Sequence, residues 1–230
     1  MLMPDSMLLL AIDTCGPSGS VALGRSSSRD VEILSQIELE GRSYSSTLVE
    51  AVKDVLSQNG VELRQVSCIV VVNGPGSFTG VRVGVSAAKG LAEAAQIPVT
   101  SVSRLEVLAS LAAVTSSALD AHRHELYLRL GEQGRPGREL LAGIRELEAI
   151  EPRSPRVACC DDAAILLERA WPAVELVLVQ APSAADALRL CASRVTAGAF
   201  VDLAMLDGHY LRRSDAEIFG EPSSVGEHRP

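Results

Sequence analysis

Aromatic residues make up only 3% of the 230-residue chain. Stacking platforms for unpaired bases are therefore nearly absent. Positive charge is also short, with 21 Lys and Arg against 29 Asp and Glu and a formal net charge of −8. A surface of that sign repels a phosphate backbone instead of releasing its counterions, so any RNA it serves must be held by another component. Histidine is confined to His122, His124, His209 and His228, which leaves the first half of the chain without an imidazole. The five cysteines, Cys15, Cys68, Cys159, Cys160 and Cys191, are odd in number and contain no CxxC pair. That excludes a disulfide framework and a zinc knuckle and reads as reduced thiols of a cytoplasmic protein. No long apolar run is present either: Met7 to Ile12 is stopped by Asp13 and has no basic flank, too short for a signal peptide or a membrane span. This run reads as a first buried strand, with Met7 as the expected start and residues 1–6 as a leader.

What the chain does hold is Val, Leu and Ala in a 47% hydrophobic composition, enough for one substantial domain or two small ones. A strand at 7–13, a glycine turn and strands at 20–24 and 31–39 predict a β-meander. The period then changes. Leu48, Val52 and Val55, widened by Val49 and Leu56, predict a helix over 45–59, with Thr47 and Glu50 as a capping box and Gly60 as its end. The all-apolar run 68–72 predicts a strand buried on both faces. A GPG turn, a helix over 77–95 closed before Pro98, and a strand at 99–102 complete the first part. The order βββ-α-β-α-β is the half-unit of the actin-like, or ribonuclease H-like, architecture, whereas a Rossmann fold would begin β-α-β. From Ser103 onward the pattern predicts a helix at 106–114, a strand over 118–130, a turn at 131–137, a strand at 157–160, a helix at 162–171, a strand at 174–179 and a helix at 183–197. Residues 220–230 are expected to be a disordered tail.

The segment IVVVNGPGSFTGVRVGVSAAKGLA, residues 69–92, runs strand, glycine turn, helix, as phosphate loops do. It fails both phosphate patterns. Gly80 is followed by Val81 where a P-loop needs Lys, and Thr79 stands where the Rossmann pattern needs its third glycine. Gly76, Gly80, Gly84, Ala88 and Ala92 instead fall four residues apart, a small-residue ridge along one helical face. Glycine inside a helix costs ~1 kcal/mol against alanine, so the groove is expected to admit another backbone, a helix as near as about 8 Å. Two neighbours remain open: the 45–59 helix of the same chain, or a partner protein docking on both helices together.

Asp13 and Thr14 end the first strand before a glycine turn, a nucleotide-proximal position in actin-like enzymes; the alternative is a polar turn. His122 and His124 fall on one face of a strand and could share a metal with a third ligand, or be two exposed imidazoles. No GxSxG elbow is present.

The chain resembles the bacterial TsaB (YeaZ) family of tRNA threonylcarbamoyladenosine biosynthesis proteins. The resemblance rests on LLLAIDT at 8–14, SVAL at 20–23, NGPGSFTGVRVG at 73–84, AKGLA at 88–92, PVTSVSRLE at 98–106, Asp120-Ala121 with ELY at 125–127, and YLR at 210–212. It covers Met7 to about Arg213. It implies a two-lobed α/β fold of the actin-like (ribonuclease H-like, ASKHA) class, mixed β-sheets flanked by helices, with lobes over 7–103 and 104–219. It further implies a non-catalytic scaffold that pairs with the transferase TsaD and works with the ATPase TsaE to install threonylcarbamoyl on adenosine 37 of tRNA (t6A). The metal would be carried by TsaD, ATP or ADP would sit at the complex interface, tRNA would be reached only through the complex, and the isolated chain could form a homodimer. By position, the implied partner contacts are Leu48, Ala51, Val52 and Val55 on one helix and Ser77, Phe78, Gly80, Val81, Gly84, Val85 and Ala88 on the other. Where the transferase carries two metal-binding histidines, this chain has Arg42-Ser-Tyr-Ser-Ser-Thr-Leu48 and no imidazole. It also departs from its own family there, which often keeps one histidine near Tyr44, and at His122, where the family often has Arg. The competing readings are an actin-like enzyme, either a metallopeptidase or a small-molecule kinase, and a self-associating adaptor.

Overall fold

The computed structural model describes residues 6–27, 30–40 and 43–212. The expected leader, apart from Ser6, and the expected tail at 220–230 lie outside the described residues.

Strands β1 (Met7–Asp13), β2 (Ser18–Ser26) and β3 (Val31–Glu40) form the antiparallel meander, followed by α1 (Tyr44–Gln58), β4 (Cys68–Val72), α2 (Phe78–Ala95) and β5 (Val99–Val102). The first sheet has the order β3-β2-β1-β4-β5. β1 pairs antiparallel with β2 and parallel with β4, so Ile12 lies between Val21 and Val71. Every residue of β4 is buried, as a central strand covered on both faces requires. The covers are identifiable from β2: a Cβ on Gly19 would meet Tyr44 of α1, while one on Gly24, on the opposite face, would meet Leu188 of the helix Ala184–Thr196.

The second sheet, ordered β10-β9-β6-β7-β8, is built from β6 (Ser116–Asp120), β7 (Glu125–Glu132), β8 (Arg135–Gly143), β9 (Arg156–Cys159) and β10 (Glu175–Leu178). It carries α4 (Ile144–Ala149) and α5 (Ala163–Ala170), while α3 (Arg104–Leu111) starts immediately after β5. Leu126, Leu128, Leu147, Leu167 and Trp171 form its core. The Trp171 indole N–H donates to the Leu147 carbonyl at 2.9 Å, which fixes the end of α5 to α4.

Four features differ from the sequence reading. The single strand expected over 118–130 is a hairpin, broken at 121–124 where His122, Arg123 and His124 all adopt positive φ. β8 and α4 were not expected; β8 is an edge strand, and its sequence RPGRELLAG has the half-exposed polar character of an edge. α1 begins at Tyr44 after Ser43, without the Thr47/Glu50 box, because the Thr47 hydroxyl donates back to the Ser43 carbonyl. Finally, α6 (Ala184–Thr196), assigned from sequence to the second lobe, packs on the first sheet. Its Ala184, Leu188, Cys191 and Val195 are buried with Leu10, Leu23 and Val70 in one core, and its first N–H groups are received by Ser20 and Gln36 of the meander. The apolar face of α6 needed a sheet with a free face, and the first sheet had one opposite α1 and α2.

Candidate functional site

The glycine turn before α2 is occupied by the protein's own backbone. Ser77 caps the helix, its hydroxyl accepting the Gly80 N–H at 3.3 Å, and the Ser77 N–H donates to the Cys15 carbonyl at 2.8 Å. The Thr14 hydroxyl donates to the Gly80 carbonyl at 2.7 Å. A Cβ added to Gly76 would overlap the Cys15 carbonyl, one on Gly80 the Thr14 carbonyl, and one on Gly84 the Thr14 hydroxyl. The turn after β1 thus lies where a phosphate would rest on a helix N-terminus. The small-residue ridge admits a backbone, as expected, but the backbone is that turn and not another helix.

The structure places the expected partner contacts as follows. Of the named positions, Leu48, Ala51, Val52, Val55, Gly80, Val81, Gly84, Val85 and Ala88 are all buried within the chain, and only Ser77 and Phe78 reach the surface. The buried positions form the core-facing stripes of α1 and α2. The two helices do lie side by side. What they present outward is Val49, 65% exposed, with Lys53, Arg82, Val83, Ser86 and Ala87.

Between the two sheets is a cleft of about 970 Å³. Its walls are Gly16, Pro17 and Pro75–Phe78 from the first lobe and Leu119–Arg123, Tyr127, Asp161 and Asp162 from the second. Asp13 and Thr14 do not line it. Asp13 is buried and accepts the Cys15 N–H at 2.8 Å. Burial pushes its carboxyl up from the usual range, against the opposing pull of Arg104. Arg104, the first residue of α3, borders the cleft and is only 5% exposed. Its Nε stands 3.7 Å from Asp13 Oδ2 and has no hydrogen-bond partner.

His122 and His124 sit in the β6–β7 turn and not on a strand face, and His122 pairs with Asp120 at 2.9 Å. Among the described residues no three His, Cys, Asp or Glu side chains are grouped to hold a metal.

The remaining wall is a strap formed by residues 199–212. Val201 bridges to Val99, the Lys89 ammonium donates to the Leu206 carbonyl at 2.8 Å, and the His209 N–H donates to the Asn73 carbonyl at 2.6 Å. The strap then crosses between the lobes. Tyr210 packs on Phe78 with ring centroids 4.9 Å apart, and the Arg82 guanidinium covers Phe78 at 3.8 Å. On the other side, His209 Nε2 meets Glu139 of β8 at 3.0 Å, and Arg212 pairs with Glu125 of β7. Glu139 also receives the Ser103 hydroxyl at 2.7 Å and Arg129 at 2.8 Å. Burial raises the Glu139 carboxyl pKa, but the hydrogen bonds from His209, Ser103 and Arg129 outweigh it and hold the group below its ordinary value. Sequence reasoning found neither Arg104 nor Glu139. The one signal for Arg104 was a cation in the first turn of a helix, where the dipole disfavours it; Glu139 had none, since its cross-strand pairing with Arg129 depends on a β7–β8 hairpin that was not expected and Ser103 and His209 lie far away in the chain.

The family model described as TsaD, tRNA N6-adenosine threonylcarbamoyltransferase, matches residues 32–143. The chain is 35% identical over 127 residues to the tRNA threonylcarbamoyladenosine biosynthesis protein TsaB of Escherichia coli (strain K12), covering 53% of each protein. It is 38% identical over 128 residues to TsaB of Bacillus subtilis (strain 168), covering 54% of this chain and 55% of that one. The match thus spans about half the length of these curated relatives. Two solved structures align with nearly all of it. One, YeaZ from Pseudomonas aeruginosa, has a TM-score of 0.70 at 28% identity over 89% of this chain and 100% of that one. The other, an uncharacterized protein with similarity to peptidase YEAZ from the same organism, has a TM-score of 0.72 at 28% identity over 90% and 100%. The two mixed sheets flanked by helices are therefore of the actin-like, ribonuclease H-like class that the element order predicted.

Proposed function

Because the chain belongs to the TsaB (YeaZ) family, we propose that it acts in the formation of threonylcarbamoyladenosine at position 37 of tRNA, as a scaffold and activator without catalytic side chains. In this role it pairs with the transferase TsaD, works with the ATPase TsaE in the cytoplasm, and leaves the metal and the tRNA to its partners. The observation that carries the reading is the occupied glycine turn: the Cys15 backbone fills the helix N-terminus that a kinase would reserve for phosphate. The acidic charge supports a component that does not itself grip RNA. No helix among the described residues is long and apolar enough to cross a membrane.

Depletion of the protein should lower the modified nucleoside in total tRNA, measured by mass spectrometry of nuclease digests. An unchanged level in cells without a paralogue would overturn the assignment.

The partner surface in this reading is the outward side of α1 and α2, centred on Val49 and Val83. Val49→Glu combined with Val83→Glu is expected to abolish co-purification of TsaD while leaving the melting temperature within a few degrees of the parent, because Val49 is exposed and Val83 only half-buried. Undiminished co-purification would move the interface elsewhere.

A further inference from the structure

The interlobe cleft has no part in a docking role, yet it is bordered by a buried guanidinium, ion-paired with Asp13, whose Nε has no hydrogen-bond partner. We propose that this cleft binds a small zwitterionic carboxylate of the amino-acid class, its carboxylate on Arg104 and its ammonium on the aspartates of the second lobe.

Arg104 supplies the anchor. It is 5% exposed, its Nε lacks a hydrogen-bond partner, and its nearest carboxylate, Asp13, is 3.7 Å away, outside hydrogen-bond range. Asp13 accepts the Cys15 N–H on Oδ1 and turns Oδ2 toward Arg104. A buried guanidinium left in this state favours a planar, two-oxygen acceptor. Gly16 lets it reach the cleft wall: a Cβ there would overlap Arg104 Nη2. The charge of the opposite wall then selects among anions. Asp162 lines the second-lobe side with Asp120, which pairs with His122, and Asp161, which accepts the Asp120 and Ala163 N–H groups; they face Arg123, Arg104 beside Asp13, and Arg212 beside Glu125. That balance disfavours a polyphosphate and suits a ligand carrying one charge of each sign. Between the charged ends are Phe78, Leu119, Tyr127, Tyr210 and Leu211, which favour an apolar side chain. The cleft of about 970 Å³ is ample for such a molecule.

The test is calorimetric titration of the full chain with each free L-amino acid, with sodium acetate and inorganic phosphate as anions lacking an ammonium. The expected result is saturable binding of at least one apolar amino acid, weakened at least tenfold in Arg104→Gln and in Asp162→Asn, with neither acetate nor phosphate competing. Asp162 is exposed, so its variant reports on binding even if Arg104→Gln fails to fold. Absence of saturable binding by any amino acid, or affinity unchanged in Asp162→Asn, would overturn the proposal. Competition by phosphate at equal strength would do the same, reducing the cleft to an unselective anion site. None of these outcomes depends on the level of modified tRNA.

Discussion

Gly80→Ala is expected to destabilise the fold by about 3 kcal/mol or more, the cost of forcing an atom into packed backbone. For a chain of this length that lowers the melting temperature by roughly 6–12 °C. The added Cβ would overlap the Thr14 carbonyl, and Tyr44 closes the other side of the same space, its ring 3.3 Å from that Cβ. Neither neighbour can retreat easily: Thr14 is tied to Gly80 by its hydroxyl, and the Tyr44 hydroxyl donates to the Gly16 carbonyl at 2.9 Å. Gly90 supplies the control within the same helix. Nothing lies within 4 Å of its added Cβ, so Gly90→Ala should gain about 1 kcal/mol from helix propensity alone. Thermal denaturation of the two variants should move in opposite directions. If Gly80→Ala melts with the parent, the ridge does not pack on the β1 turn and is open to a partner after all.

Glu139→Gln should have the second largest effect, a loss of about 2–3 kcal/mol at neutral pH, because it takes one charge from a buried network and leaves Arg129 with its longer ion pair to Glu106 at 3.8 Å. The same variant predicts a change in acid sensitivity. The folded carboxyl lies below its ordinary value of 4.5, since the hydrogen bonds from His209, Ser103 and Arg129 outweigh burial. The folded state therefore holds this proton less readily than the unfolded chain. The resulting stabilisation is complete above that ordinary value and is lost as pH falls below it through the folded value. Glu139→Gln removes this contribution, so its stability should decline less steeply than the parent's between about pH 5 and pH 3. Parallel curves from denaturant titrations across that range would show that Glu139 is not held as described.

The sequence was most informative where a pattern had one physical cause. Residues 68–72 and 99–102 were legible as β4 and β5 to the residue, the first because a continuous apolar run between turns has few alternatives. α2 was legible from its Ser77 cap to Ala95. The ridge on α2 was seen, but its counterpart was not: a row of small residues records that something comes close without recording what. The named contact positions on α1 and α2 share this ambiguity. Leu48, Val52 and Val55 mark the buried side of α1, and burial inside the chain uses the same residues as burial against another protein. The Glu139 network was beyond reach, since Arg129 meets it across a hairpin that was not expected, Ser103 from the start of α3, and His209 only where the strap crosses the lobes.

The return of α6 to the first sheet also bears on how the protein is made. β1, β2 and β4 emerge from the ribosome before the second sheet, yet the helix that covers their other face, with Leu206 beyond it, is translated only after every strand of that sheet. Until then Leu10, Leu23 and Val70 belong to a core without its final wall, and the nascent chain carries an apolar sheet face. The second sheet, whose core lies wholly within residues 118–176, has no such wait. In order of completion, the N-terminal lobe of this protein comes last.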